Sequence, residues 1–124
     1  MVLVDTSVWI SHFREMNAEL HRLLYNEKVL SHPYIIGEIA CGNIKNRREI
    51  LNLLDAMPKS RFVHDYEVLL FLESNRLMGM GLGYIDMCLL ASAVLTDVHL
   101  WTLDKSLRDV STRFNLQYRP DLPR

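Results

Sequence analysis

The sequence opens with Met1-Val2-Leu3-Val4-Asp5-Thr6-Ser7, in which a short apolar run ends in an acid and two hydroxyl residues. A run with no polar residue on either face is typical of a strand buried on both sides within a parallel sheet. Open α/β sheets place their ligands at the carboxyl ends of such strands. We therefore predict a central strand that presents Asp5 at the mouth of a crevice.

Outward from this stretch, short apolar runs alternate with helical patterns. Further strands are predicted at residues 28–32, 61–63, 100–103 and 117–119. Helices are predicted at 7–14, from 17 onward, at 33–42, before Pro58, and at 65–78, 84–95 and 104–114, with Thr6 or Ser7 as the first N-cap. The glycine-rich segment 79–83 is predicted to be a hinge that lets Asp86 reach the crevice. This alternation indicates an α/β sandwich around a mostly parallel sheet, folded as one domain over residues 1–124.

Bulk charge by itself does not suggest a nucleic-acid-binding protein. The chain has 124 residues and a net charge of −1, with 14 basic residues against 15 acidic ones. If four acids belong to one site, the remaining surface carries a small positive excess. Such a surface around an acidic pocket is compatible with a metal-dependent enzyme that acts on a polyanion.

The cellular compartment is predicted from what the sequence lacks. It shows neither a signal peptide nor an apolar segment near the ~20 residues that span a bilayer. Cys41 and Cys88 lie far apart and form no Cys-x-x-Cys pair, so we expect reduced, buried thiols. These features predict a cytoplasmic protein with no membrane partner.

Four acids occupy positions that are unusual for purely structural residues. Asp5 and Asp104 each follow an apolar strand, Glu38 lies within an apolar helix, and Asp86 lies in the first turn of the most hydrophobic helix. Each also has a structural alternative: Asp5 and Asp104 as helix caps, Asp86 as a helix-dipole acid, and Glu38 as a side chain that reaches solvent. If both strands are parallel neighbours, their acids emerge at the same edge of the sheet.

Several carboxylates gathered in a crevice of low dielectric require a counter-ion. Oxygen ligands favour Mg²⁺ or Mn²⁺, which can activate water against a phosphodiester. Zinc is disfavoured, because the five histidines show no spacing typical of a zinc site. The four acids therefore predict a magnesium or manganese site.

Four segments together resemble the PIN domain. They are Val4-Asp5-Thr6-Ser7-Val8-Trp9-Ile10, Gly37-Glu38-Ile39, Ile85-Asp86-Met87-Cys88-Leu89-Leu90-Ala91 and Trp101-Thr102-Leu103-Asp104. Their order and spacing match over essentially the whole chain and are most similar to VapC-type toxins of bacterial toxin–antitoxin pairs. The resemblance implies a three-layer α/β/α sandwich and a Mg²⁺- or Mn²⁺-dependent endoribonuclease that cleaves structured RNA such as tRNA or rRNA.

The resemblance also implies roles for individual residues and partners. The family's acidic ligands correspond to Asp5, Glu38, Asp86 and Asp104, and its strand-end hydroxyls to Thr6 or Ser7 and Thr102. The implied partners are a second copy of the chain, forming a homodimer, and a VapB-type antitoxin that covers the acidic pocket; operator DNA is contacted only through that antitoxin. One departure is Ser106, at a position where many relatives carry a further acid, so a second metal is expected to be weakly held.

Basic side chains near these segments are candidates for contact with the RNA backbone: Lys45, Arg47, Arg48, Lys105 and Arg108. The alternative for the run from Lys45 to Arg48 is a solvated helix start. Trp9 is interpreted as a core or dimer-interface residue rather than a base-stacking platform.

Three other functions are weighed against the nuclease. A phosphatase of the haloacid dehalogenase type needs Asp-x-Asp, and Ser7 stands at the second position. A phosphoacceptor signalling domain would use Thr102 and Lys105 but needs an acid pair after the first strand. A non-catalytic PIN-like scaffold is disfavoured by the presence of all four acids.

Overall fold

Three parallel strands form the sheet in the computed structural model, which describes residues 1–120. The strands are β1 (Val2–Val4), β2 (Val29–Leu30) and β3 (His99–Trp101), in the order β2-β1-β3. Val2 lies opposite Val29 on one side and His99 on the other. All three residues of β1 are buried, so the opening apolar run is the central strand, as predicted.

Seven helices flank this sheet within the described residues. They are α1 (Thr6–Arg14), α2 (Ala18–Tyr25), α3 (Pro33–Cys41), α4 (Arg47–Ala56), α5 (Asp65–Ser74), α6 (Tyr84–Thr96) and α7 (Lys105–Thr112). Helix α6 buries the unbroken run from Met87 to Ala93, because its apolar residues lie on every face. The predicted α/β fold with a parallel central sheet is confirmed.

Several predicted boundaries were wrong. Residues 61–63 form no strand; instead Ser31 pairs with Lys59 in an isolated parallel bridge. Helix α5 ends at Ser74 rather than near residue 78, because Arg76 adopts left-handed backbone with a φ of 53°. The predicted strand at 117–119 is reduced to a single bridge between Gln117 and Leu100, and residues 121–124 of the predicted domain lie outside the described residues.

Two side-chain predictions also differ from the structure. The N-cap of α1 is Asp5 rather than Thr6 or Ser7. Cys88 is buried as expected, whereas Cys41 is exposed at the end of α3. No helix within residues 1–120 has the length and apolar character needed to cross a membrane.

The glycine-rich segment makes a close approach to helix α7. Gly79 and Gly81 both have positive φ values, 71° and 82°, which L side chains rarely adopt. A Cβ atom added at Gly81 would lie 2.9 Å from the hydroxyl oxygen of Ser106. Position 81 therefore requires glycine both for its backbone and for its packing, and the segment leads directly into the start of α6.

A buried histidine, His32, joins the end of β2 to the start of α3. Its Nδ1 accepts a hydrogen bond from the backbone N–H of Tyr34 at 3.0 Å, and its ring lies 5.9 Å from that of Phe62, with 25° between the planes. Burial lowers the pKa of His32 from 6.5 to about 4. The imidazole is therefore neutral at physiological pH and serves as the N-cap acceptor of α3.

This histidine should make stability depend on pH. Between about pH 6.5 and pH 4 the unfolded chain binds a proton that folded His32 does not. The contribution of His32 to the free energy of unfolding is thus complete above about pH 6.5. It is lost as pH falls, by roughly 2 kcal/mol at pH 5. We expect the thermal midpoint to drop by about 5–10 °C between pH 7.5 and pH 5.

The matched pair His32→Asn and His64→Asn tests this assignment. Both histidines occupy N-cap positions, where asparagine is well tolerated, but His64 is exposed. The His32 variant should show a clearly smaller pH dependence than the wild type, and the His64 variant an unchanged one. Equal pH dependence in all three proteins would show that another group titrates.

Candidate active site

The four predicted acids lie at the edge of the sheet where the parallel strands end. Asp5 directly follows β1, and Asp104 precedes α7 after β3. Glu38 lies in α3, the helix that follows β2, while Asp86 lies in the first turn of α6. Burial and, to a smaller extent, the charges of the other three acids raise the pKa of Asp86, so all four lie within electrostatic reach of one another.

Asp5 is the buried member of this group, with 6% of its surface exposed. Its Oδ2 accepts hydrogen bonds from the hydroxyls of Ser7 at 2.8 Å and Thr102 at 2.7 Å. Although Asp5 is the N-cap residue of α1, its side chain accepts no helix N–H bond. Within residues 1–120 its Oδ1 accepts no hydrogen bond, which leaves one carboxylate oxygen available to a ligand.

Thr102 connects the ends of β1 and β3. Its hydroxyl donates to Asp5 and accepts from the backbone N–H of Asp104 at 3.0 Å. Ser7 makes a second connection of the same kind, because its hydroxyl accepts a hydrogen bond from the backbone N–H of Leu103 at 3.0 Å. The two hydroxyls therefore hold the Asp5 carboxylate in one orientation and tie it to the backbone that precedes α7.

Glu38 and Asp104 are more exposed and each has one oxygen engaged. The hydroxyl of Thr6 donates to Oε1 of Glu38 at 2.7 Å, which ties α1 to α3. Oδ2 of Asp104 accepts from the N–H of Leu107 at 2.9 Å, so this acid does cap α7. The second oxygen of each carboxylate accepts no hydrogen bond within the described part of the chain.

The pKa of Asp86 is raised by its surroundings. Burial is the largest cause that raises its pKa, and the N–H of Gly83, 3.3 Å from Oδ2, partly opposes that rise. The negative charges of Asp5, Asp104 and Glu38 raise the pKa further, in that order. The cluster is therefore unfavourable as a set of bare anions, and a cation would relieve it.

The carboxylate oxygens of the four acids suit a hard divalent cation chemically, but they do not surround one ion on all sides. Carboxylate oxygens are ligands that Mg²⁺ and Mn²⁺ prefer, and free oxygens remain on Asp5, Glu38 and Asp104. As they stand, no three histidine, cysteine or acidic side chains among residues 1–120 are close enough together to hold one ion. Mg²⁺ commonly binds through one or two carboxylates and keeps several waters. The arrangement thus suits a partly hydrated ion.

The five basic candidates for RNA contact fall into two groups. Lys105 and Arg108 lie on α7, just after Asp104, although Lys105 forms an ion pair with Asp109 at 2.9 Å. Arg47 and Arg48 begin α4, and Lys45 lies in the turn just before it. Lys45 lines a separate groove of about 730 Å³ between α1 and the loop after α3. The guanidinium of Arg47 donates to the carbonyls of Ala40 and Gly42 at the end of α3.

Tyr84 is a residue near the site that sequence patterns did not reveal. It begins α6, two residues before Asp86, and its hydroxyl donates to Oδ1 of Asp65 at 2.5 Å, which raises the pKa of the tyrosine. This contact ties the start of α6 to the start of α5. No local pattern marks a pair separated by 19 positions. Trp9, which was predicted to lie in the core or at a dimer interface, is buried at 2% exposure within the single chain, which agrees with the core alternative.

Comparison with known proteins identifies the family of this chain. The PIN domain family model matches residues 2–112. Ribonuclease VapC32 of Mycobacterium tuberculosis strain CDC 1551 / Oshkosh is 44% identical over 109 residues, covering 87% of this chain and 88% of the relative. The same protein from strain ATCC 25618 / H37Rv matches equally well. The chain therefore belongs to the PIN-domain family.

Proposed function

We propose that this protein is a Mg²⁺- or Mn²⁺-dependent endoribonuclease, the toxin of a type II toxin–antitoxin pair. The observation that carries the proposal is the group of four acids at the sheet edge where β1 and β3 end, with free carboxylate oxygens on Asp5, Glu38 and Asp104. Its similarity to Ribonuclease VapC32 supports RNA as the substrate and a toxin as the class of protein. Hydrolysis of a phosphodiester bond is the reaction that such a cluster suits.

Asp5, Glu38, Asp86 and Asp104 are proposed to hold the metal ion. A bound ion of this type supplies an activated water and stabilises the leaving oxygen. The hydroxyls of Ser7 and Thr102 orient Asp5, and that of Thr6 orients Glu38, so these two carboxylates are held in fixed orientations before an ion binds. The group as a whole must draw closer together to share one ion. Asp104 keeps one oxygen on the N–H of Leu107 and offers the other.

The substrate is proposed to be a structured RNA, tRNA or rRNA. Arg108 and Lys105 lie on the helix that Asp104 caps, which places positive charge beside the acids for a phosphate backbone. Lys45, Arg47 and Arg48 are a more distant candidate surface for the same RNA. Ser106 offers no carboxylate for a second ion, so one metal site is expected to dominate.

The proposed partners are a second copy of the chain and a VapB-type antitoxin, both acting in the cytoplasm. Helix α5 exposes Tyr66, Leu69 and Leu70, each more than half exposed, and this apolar surface supports a homodimer. The antitoxin would cover the acidic cluster and would also be the component that contacts operator DNA. The chain acts as a single domain in this proposal.

Incubating the purified protein with total cellular RNA tests the function. New 5′ ends are mapped with Mn²⁺, with Mg²⁺ and with a chelator. We expect sharp cuts in one RNA class that vanish with the chelator. Stoichiometric RNA binding without turnover under either metal would instead favour a non-catalytic scaffold, and uptake of acetyl phosphate would favour a signalling domain.

A further inference from the structure

A polar groove of about 630 Å³ lies along β3, on the side away from β1. We call it the tail groove, because the segment around Gln117 forms one wall by pairing with Leu100 of β3. Its polar lining includes Asn17, Thr102, Arg108, Thr112, Gln117 and Arg119. A volume of this size is in the range of pockets that hold a small molecule, such as one nucleotide.

The tail groove lies directly beside the acidic cluster. Thr102 belongs to both, since it lines the groove and donates its hydroxyl proton to Asp5. Leu103, half exposed, also lines the groove, and its N–H donates to Ser7, the second hydroxyl on Asp5. An RNA strand with one phosphodiester at the acids would therefore place a neighbouring nucleotide in the groove.

The charge of the groove suits a phosphate. Arg108 is half-buried in its wall, and within residues 1–120 its guanidinium donates no hydrogen bond and forms no ion pair. Asp109, the acid in the same wall, forms its ion pair with Lys105 at 2.9 Å. Arg108 thus presents a positive charge, already partly withdrawn from water, that forms no ion pair within residues 1–120. Its charge does act on neighbouring Asp109, whose pKa is lowered first by Lys105 and to a lesser extent by Arg108.

Gln117 adds a group that can recognise a nucleotide. Its amide is partly buried in the groove and makes no side-chain hydrogen bond within the described residues. An amide offers both donors and an acceptor, which matches a ribose 2′-hydroxyl or a base edge. The groove therefore combines a phosphate contact with a contact for the sugar or base.

We propose that the tail groove binds one nucleotide of single-stranded RNA next to the phosphodiester held at the acidic cluster. Arg108 contacts the phosphate of that nucleotide, and Gln117 contacts its ribose or base. This inference rests on the proposed ribonuclease function. It adds a subsite that positions the strand, and Arg108 acts there in binding rather than in bond cleavage.

The first test compares Arg108→Gln with the control Arg61→Gln on a short RNA that contains the mapped cut. Arg61 is exposed, and its backbone N–H donates to Thr96 at the end of α6 far from Asp86, so the control removes the same charge elsewhere. Arg108→Gln should raise KM about tenfold, leave kcat within about twofold, and reduce the slope of log KM against log salt by about 0.7. The control should match the wild type, and both variants should unfold at the wild-type temperature.

The second test needs no catalysis and no divalent ion. Adenosine 5′-monophosphate is titrated into the wild type, and two groups that line the groove, the Gln117 side-chain amide and the Trp101 indole N–H, are followed by NMR. We expect saturable shifts at both groups, weakened about tenfold in Arg108→Gln and unchanged in Arg61→Gln.

The outcomes separate the two proposals. If the wild type cleaves RNA but Arg108→Gln behaves as the control does in both tests, the subsite is overturned and the ribonuclease function stands. If no RNA is cleaved but the nucleotide shifts Gln117 in an Arg108-dependent way, the ribonuclease function falls and the groove remains a nucleotide site. A kcat loss for Arg108→Gln without a KM change would also overturn the subsite.

Discussion

Asp5→Asn is expected to lower metal-dependent RNA cleavage by more than about a hundredfold. Removing a group that merely supports a metal ligand typically costs about 10–100-fold, so loss of a direct ligand should cost more. Asp5 is the most buried of the four acids and is held by two hydroxyls, which makes its charge hard to replace by a shifted neighbour or by water. The measurement is the single-turnover cleavage rate at saturating Mn²⁺.

The same change should leave the fold intact. The asparagine carbonyl oxygen can accept both hydroxyl hydrogen bonds, and loss of one negative charge relieves the repulsion on Asp86. The metal-free midpoint should therefore be equal to or above that of the wild type, whereas Mn²⁺ should stabilise the variant less. Asp97→Asn is the matched control, because Asp97 is exposed at the far end of α6 with a φ of 59°, which asparagine tolerates. Cleavage that persists in purified Asp5→Asn would place the active site elsewhere or reveal a contaminating nuclease.

Thr102→Val should reduce both activity and stability. Valine has nearly the same shape but removes the hydroxyl that donates to Asp5 and accepts from the N–H of Asp104. Loss of these buried partners should cost about 1–3 kcal/mol and lower the thermal midpoint by about 5–12 °C. Cleavage should fall about 10–100-fold, since Asp5 loses one of the two groups that orient it.

Thr102→Ser separates the hydroxyl from the methyl group. Serine keeps both hydrogen bonds and loses only one buried methyl, worth about 1 kcal/mol. We expect activity close to that of the wild type and a small loss of stability. Equal activity losses in the serine and valine variants would mean that packing, rather than the hydroxyl, positions Asp5.

The central strand and the buried helix were predictable because their signals are local. Three apolar residues before Asp5 can satisfy both faces only in the middle of a sheet, and α6 has too few polar residues to face water. Pro33 and Gly42 bracket α3 for equally local reasons. The predicted strand at 61–63 had no such local basis, because a short apolar run forms a strand only where an open strand edge lies beside it. In the structure, Ser31 at the end of β2 pairs with Lys59 instead of with residues 61–63.

The placement of the acids was predictable only as a group. Parallel strands end at one edge, so acids after β1 and β3 had to lie near each other. Which oxygen each acid uses locally was not predictable: Asp104 caps its helix through a side-chain oxygen, whereas Asp5, at the same kind of position, does not. The difference arises because the hydroxyls of Ser7 and Thr102 compete for Asp5.

The sequence by itself determined the order of the three strands and seven helices, apart from two predicted strands that do not form, and the burial of β1 and α6. It also determined the sheet edge at which Asp5, Asp86 and Asp104 lie. Only the tertiary structure decided that the Thr102 hydroxyl donates to Asp5, 97 positions away, and that the Thr6 hydroxyl donates to Glu38, 32 positions away. It also decided that, within residues 1–120, Lys105 forms an ion pair whereas Arg108 forms none. Apolar periodicity and strand ends can be recognised from neighbouring residues. These hydrogen bonds, by contrast, depend on distances in space between residues that are far apart in the chain.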